Sequence, residues 1–397
     1  MSWDFVTLDK LGEISRGKSK HRPRNDSSLF GGKYPFIQTA DVKAAGMYLT
    51  KYSETYNDRG LAQSKLWPKG TLCITIAANI ADTAILGIDA CFPDSVMGFI
   101  PFKDVANVKF VKYSFDILQS DCKNISQGTA QDNLSWKKLS TIKFPMPSID
   151  IQNKIVDILS VFDDLIENNQ KQIKLLEEAA QRLYKEWFID LRFPGHENVE
   201  IVDGVPEGWH EDTIDTKVNL LNGFAFKSKD LEESGLFKLV TIKNVQDGYF
   251  EGKNVKYLSK IPDKMPRHCY LNEGDLLLSL TGNVGRVCIV EGNDFLLNQR
   301  VAKISSETPA YTYCLFRSDE LFIKINNIAN GAAQQNVSPI RIGKIKHLFP
   351  NDKLIMDFER VAGTILKRVV LMKKNIILLE ESRNRLLPKL MSGEIEV

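Results

Sequence analysis

Cysteine is sparse in this 397-residue chain and makes no pattern: Cys73, Cys91, Cys122, Cys269, Cys288 and Cys314 stand apart, with no CxxC pair. A zinc ribbon or a secreted disulfide framework needs paired or regularly spaced cysteines, so buried reduced thiols in a cytoplasmic protein are expected. The five histidines form no ligand cluster, and no metal site is expected. No apolar run reaches the ~18 residues of a membrane span, and no basic-then-apolar leader is present, so neither a membrane segment nor a signal peptide is expected. The formal net charge is only +2. A strong basic balance is therefore missing, and any charge that faces nucleic acid must be local. An NPPY-like methyltransferase tetrapeptide is absent, as is a glycine-rich cofactor loop after a strand. Asp94 with Asp121-Cys122-Lys123 mimics a nuclease D…DxK set, a pairing common by chance. The chain is expected to catalyse nothing.

What the chain does have is itself, twice. Gly128-Thr129-Ala130-Gln131-Asp132-Asn133-Leu134-Ser135 returns as Gly331-Ala332-Ala333-Gln334-Gln335-Asn336-Val337-Ser338. The same spacing carries Ile142-Lys143 onto Ile345-Lys346, Pro147 onto Pro350, and Leu175-Leu176-Glu177-Glu178 onto Leu378-Leu379-Glu380-Glu381. Arg182-Leu183 falls on Arg385-Leu386. A repeat of this length means two copies of one globular-plus-helical unit. Two equivalent units suit a partner that itself has two halves.

Residues 1–150 read as β-rich and turn-rich, with short apolar runs such as Leu72-Cys73-Ile74-Thr75-Ile76 between Gly, Pro, Asn and Asp. The character changes at 151–190. Ile151, Ile155, Ile158, Phe162, Ile166, Ile173, Leu176, Ala180, Leu183 and Trp187 step by threes and fours, which predicts a long amphipathic helix that Pro194-Gly195 end. Residues 191–352 repeat the β-rich plan. From 353 to 397 a second stripe runs through Leu354, Phe358, Val361, Ile365, Val369, Ile376, Leu379, Leu386 and Leu390, with Pro388 expected to kink or fray its end. The globular parts match more loosely: Leu66 to Leu72 resembles Tyr270 to Leu276. Asn79-Ile80-Ala81 then falls on Asn283-Val284-Gly285. The fold class expected is α+β: two β-rich domains separated by two long helices paired as an antiparallel coiled coil, with a pseudo-twofold internal repeat. The pairing would bury both stripes.

Gly12-Glu13-Ile14-Ser15-Arg16-Gly17-Lys18-Ser19 fits the P-loop pattern GxxxxGK[ST]. A real P-loop hands its phosphates to the N-terminus of a helix. Here Lys20-His21-Arg22-Pro23-Arg24-Asn25-Asp26 follows, which cannot start an amphipathic helix, and the repeat's counterpart near Gly223 lacks the first glycine and the lysine. A basic loop after a turn is the better reading.

With its two alternating variable β-rich domains and two similar long helices, the chain resembles the DNA-specificity (S) subunit of type I restriction-modification enzymes. The repeated Gly331 to Ser338 segment leading to Phe349-Pro350, and Leu175-Leu176-Glu177-Glu178 followed by Arg182-Leu183, carry the resemblance. It implies that each β-rich domain is a target-recognition domain reading one half of an interrupted double-stranded DNA site. It implies helices that space the domains and bind methyltransferase (M) subunits, two of them, and restriction-translocase (R) subunits besides. S-adenosylmethionine, ATP and Mg would then belong to those partners, with no cofactor bound by this chain.

Candidate DNA contacts follow from chemistry. Lys18, Lys20, Arg22 and Arg24 give a basic loop for phosphates or base edges. Asn298, Gln299, Arg300, Gln334, Gln335 and Asn336, with Gln131 and Asn133 in the first copy, offer amides and a guanidinium that match adenine N6/N7 and guanine O6/N7. Turn-capping is the plain alternative for such amides. Asn79, Asn283 and Arg286 lie in paired loops that differ between the copies: Ala77-Ala78-Asn79-Ile80-Ala81-Asp82 against Thr281-Gly282-Asn283-Val284-Gly285-Arg286. Lys227, Lys229, Lys243 and Asn244 complete the set. Glu177, Glu178, Arg182, Lys185, Glu380, Glu381 and Arg383 are the helix-borne charges available to partner subunits. Rival readings are a P-loop NTPase, a coiled-coil scaffold without a DNA role, and a specificity subunit serving different catalytic subunits.

Overall fold

The computed structural model describes residues 3–77, 80–126, 136–329 and 335–397. Asn79, Gln131, Asn133 and Gln334 lie outside the described residues. The chain divides into two compact units, Met1–Leu165 with Leu379–Val397, and Ile166–Leu378.

Among the described residues, the first unit is built on two larger sheets, beside a two-stranded pairing of Asp4–Val6 with Phe144–Met146. One orders its strands Gly12–Arg16, Val96–Pro101, Leu72–Thr75, Thr83–Leu86 and Tyr48–Leu49. Every residue of Leu72–Thr75 and Thr83–Leu86 is buried. That explains why this sequence runs continuously apolar instead of alternating: both faces of the strands are covered. The other sheet orders Glu54–Tyr56, Phe30–Phe36, Ala90–Cys91 and Leu66–Trp67. Trp67 stacks on Phe92 with ring centroids 4.8 Å apart. A Cβ on Gly98 would lie 2.5 Å from the Trp67 ring, so only glycine fits there.

The second unit repeats both larger sheets with the strands in the same spatial order, less a counterpart of the edge strand Tyr48–Leu49. Asn219–Asn222, Val301–Ser305, Leu276–Ser279 and Val287–Ile289 form one. Lys256–Leu258, Phe237–Val240, Phe295–Leu297 and Tyr270–Leu271 form the other. In each unit the second sheet contains one parallel pairing at the equivalent place, Phe36 with Cys91 and Phe237–Val240 with Phe295–Leu297. The repeat read from the sequence is thus a repeat of topology.

The first long helix spans Ile149–Tyr184, 36 residues. It ends earlier than Pro194-Gly195, in a π-helical turn at Lys185–Ile189 closed by the Asp190 N–H on the Lys185 carbonyl at 2.8 Å. Adjacent Trp187 and Phe188 are both buried on this turn, against Phe358. Leu191 then turns the chain away with φ +56°. The second long helix spans Asp352–Met391, 40 residues, and continues through Pro388 for a last turn. Leu387, Leu390 and Met391 are buried there with Phe110, Tyr113, Ile155 and Leu159 in the first unit, which offsets the hydrogen bond the proline forgoes.

The helices pair antiparallel. In the second unit Lys373 meets Glu177, and fifteen residues earlier on that helix Phe358 packs on Tyr184 and Trp187. In the first unit Arg383 bonds Asp163. Most of the apolar stripe is core, but Ile158 and Val361 are 37% and 48% exposed. The buried face is rotated toward Val156, Leu159, Ile355 and Ala362, because each helix also packs on its own β-rich domain.

Candidate nucleic-acid interface

Three segments of the second unit are stitched side by side where the strands end. The Leu280 N–H donates to the Arg300 carbonyl at 3.1 Å, and the Val337 N–H donates to the Leu280 carbonyl at 3.0 Å. The Gly282 N–H donates to the Gln335 carbonyl at 2.9 Å, and Thr281 Oγ1 donates to Asn336 Oδ1 at 2.8 Å. Asn283, Arg286, Gln299, Arg300, Gln335 and Asn336 therefore stand on one small ladder, all but half-buried Arg286 exposed. Arg300 has no ion-pair partner among the described residues. Asn298 joins the cluster through backbone: its N–H donates to the Val240 carbonyl at 3.2 Å, and Gln299 N–H donates to the Phe224 carbonyl at 3.0 Å. A Cβ on Gly223 would sit 2.0 Å from the Asn298 carbonyl oxygen, so the close approach needs glycine. Lys227 and Lys229 follow on an exposed turn, and Lys243 is exposed nearby in sequence to Gln246.

Asn244 is a correction. It is 1% exposed, its Oδ1 accepts from the Thr241 N–H at 2.7 Å, and its Nδ2 donates to the Glu251 carbonyl at 2.7 Å. It holds the loop together and has no surface to offer a base.

Arg286 is held by neutral groups. Its guanidinium donates to Gln246 Oε1. With the Asn283 amide turned so that its oxygen faces the guanidinium, that oxygen accepts from Nη1 at 3.3 Å and Nη2 at 3.2 Å. Gln246 is a member of the cluster that sequence reasoning missed, since it sits 40 residues away in the chain.

In the first unit the basic loop leaves the strand Gly12–Arg16 without entering a helix; the next element is a short 3-10 turn at Ser27–Leu29. The glycines of the P-loop pattern have packing reasons. Cβ atoms at Gly12 and Gly17 would lie 2.3 Å from the carbonyl oxygens of Ile100 and Pro93. Ser19 is 5% exposed, and its hydroxyl lies 3.5 Å from that of Tyr56. The loop is pinned: Lys18 N–H donates to the Phe92 carbonyl at 3.1 Å, Ser64 Oγ donates to the Lys18 carbonyl at 2.7 Å, and Gln63 Oε1 accepts from the backbone of Lys20 and His21. Asp26 anchors His21 at 2.7 Å, and its carboxyl is held down at about 2, chiefly by the Ser28 backbone N–H. Arg24 bonds both oxygens of Asp94 at 2.6 and 2.8 Å, and Arg22 approaches the same carboxylate at 3.7 Å. Asp94 thus neutralises part of the loop's charge, while Lys18 and Lys20 remain exposed with no ion pair among the described residues.

The helix charges divide. Glu177 is a correction: 16% exposed, it pairs with Arg317 at 3.4 Å and Lys373 at 3.8 Å and accepts from the Tyr313 hydroxyl at 3.3 Å. Arg383 is another, turned inward to Asp163, which also takes the Tyr113 hydroxyl. Both bind the chain to itself. Lys185 pairs with Asp190 at 2.7 Å and Glu178 with Lys174 at 3.7 Å, both at the surface. Arg182 and Glu381 are exposed and Glu380 is half-buried.

Comparison with known proteins agrees with this geometry. Residues 1–178 match the family described as the type I restriction modification DNA specificity domain. The type I restriction enzyme MjaIX specificity subunit of Methanocaldococcus jannaschii is 25% identical across all of this chain and 94% of its own length. The MjaVIII specificity subunit of the same organism is 24% identical across all of this chain and 93% of its own. Among solved structures, the S subunit of a type I restriction-modification system from M. genitalium superposes with a TM-score of 0.60 at 17% identity, over 98% of this chain and 96% of that one. Built as two copies of one frame, the chain is thus similar along its whole length to type I restriction-modification DNA-specificity (S) subunits, and residues 1–178 match their specificity domain.

Proposed function

We propose that the chain is the non-catalytic, sequence-reading subunit of a type I restriction-modification enzyme, and that each unit reads its own half of an interrupted double-stranded DNA site. The observation that carries this is the shared frame, on which each unit sets diverged loops. The backbone bonds match: Gly17 N–H to Val96 and Gly223 N–H to Val301, Ile76 N–H to Ser95 and Leu280 N–H to Arg300. The side chains they display do not. A frame kept while its tips diverge suits two reading heads for two different half-sites. Arg300 and the exposed amides supply base-edge chemistry in the second unit, and Lys18 and Lys20 supply phosphate or base contacts in the first. Methyltransferase subunits that hold S-adenosylmethionine, and translocase-nuclease subunits that use ATP and Mg, are the partners. Arg182, Glu178, Glu381 and Lys185 are helix-borne charges still open to them.

Mapping methylated adenines in a host that carries this chain with its methyltransferase partner tests the reading. A two-part site with a fixed unread gap is expected. An uninterrupted site, or methylation unaffected by deleting this chain, contradicts it.

A further inference from the structure

The two copies close a turn with the same backbone bonds and end it in opposite charge. In the first unit, Ala81 stands in the left-handed region at φ +60° with its N–H on the Thr75 carbonyl at 2.9 Å. Asp82 follows, its N–H on Thr75 Oγ1 at 3.0 Å. In the second unit Gly285 is at φ +87° with its N–H on the Ser279 carbonyl at 3.0 Å. Arg286 follows, its N–H on Ser279 Oγ at 3.0 Å. Asp82 and Arg286 thus occupy one position of one turn, beside the equivalent segments that carry Ser95 and Arg300.

Each side chain is steered by a neutral amide of matching polarity. Gln246 and Asn283 give oxygens to the Arg286 guanidinium, and Gln119 Nε2 donates to Asp82 Oδ1 at 2.7 Å. No opposite charge meets either group among the described residues. Amides fix direction without cancelling charge, so each ion keeps its full preference for an outside partner. Both are half-buried, which restricts the rotamers that must be frozen on binding.

We infer that Arg286 and Asp82 are equivalent specificity-determining residues of inverted polarity. Resting on the two-half-site reading, Arg286 donates to guanine O6 and N7 in one half-site. Asp82 accepts from an exocyclic amine, cytosine N4, at the corresponding place in the other. The two half-sites are then not copies of each other at that position. Gln246 is a positioning residue that acts through Arg286.

The test uses the full chain assembled with its methyltransferase partner, a randomised duplex DNA library as probe, and sequencing of bound molecules. Arg286→Ala should reduce the preference for one guanine in one half by about tenfold to a hundredfold, leaving the other half intact. Asp82→Asn should relax one cytosine in the opposite half. Gln246→Glu places a carboxylate on the guanidinium. It should keep or raise the melting temperature yet lose the same guanine preference as Arg286→Ala, an effect that a purely structural arginine would not produce. If the wild type selects no two-part site, the proposed function itself fails. If it selects one and Gln246→Glu and Asp82→Asn leave every base preference unchanged, or if both relax the same half, the inverted-polarity inference is overturned while the two-half reading stands.

Discussion

Gly17 and Gly223 mark the limit of reading residues one at a time. Both glycines exist because a neighbouring carbonyl passes within 2.3 and 2.0 Å of where a Cβ would be. At Gly17 that need happens to complete a nucleotide-binding pattern. Gly223→Ala should therefore destabilise the second unit by about 1–3 kcal/mol, typical of overpacking, read as a lower midpoint in denaturant. Lys18→Ala should leave that midpoint unchanged. It should weaken DNA binding modestly, lower the slope of log affinity against log salt by about one, and leave ATP hydrolysis by the assembled enzyme intact at saturating DNA. Lost hydrolysis with unchanged DNA binding would restore the P-loop reading. Polar residues were the least legible. Asn244, Glu177 and Arg383 look in sequence like surface groups, and only the fold reveals that Thr241, Lys373 and Asp163 have taken them. The Asp82 and Arg286 loops were legible as different because the repeat aligned them, but their amide supports at Gln119 and Gln246 have no sequence signal, lying 37 and 40 residues away.

The long helices were the most legible elements, since an apolar step of three or four survives any change of surface. Their ends and their facing were not. The first helix closes in a π turn at Lys185–Ile189 that no residue pattern announces, and Pro388 is tolerated because its turn is buried in core. The pairing also carries ions where a coiled coil would carry leucine. Lys373 is 6% exposed and lies between Glu177 and Glu291, the latter at 2.9 Å. Lys373→Met removes the cation and leaves Glu291 and Glu177 short of a partner. The expected loss is about 3 kcal/mol of unfolding free energy, since breaking a buried pair strands its other charge. An unchanged denaturation midpoint would mean the network contributes nothing to holding helix and domain together.

At the scale of the whole chain the repeat is the informative fact. It foretold two α+β units with long helices, and strand order then matched sheet by sheet. What sequence could not give was which tips of the frame converge, because the ladder joining residues 280–282, 299–301 and 335–337 is made by backbone bonds between distant segments. The central claim is that two heads read two half-sites independently, and Arg300 is the exposed guanidinium on one of them. The decisive measurement is the map of methylated adenines in a host carrying the methyltransferase partner with either the wild type or Arg300→Ala. The account predicts an interrupted two-part site whose discrimination falls by about 1–3 kcal/mol at one position of one half, with the other half and the gap unchanged. Equal loss of discrimination in both halves would contradict it.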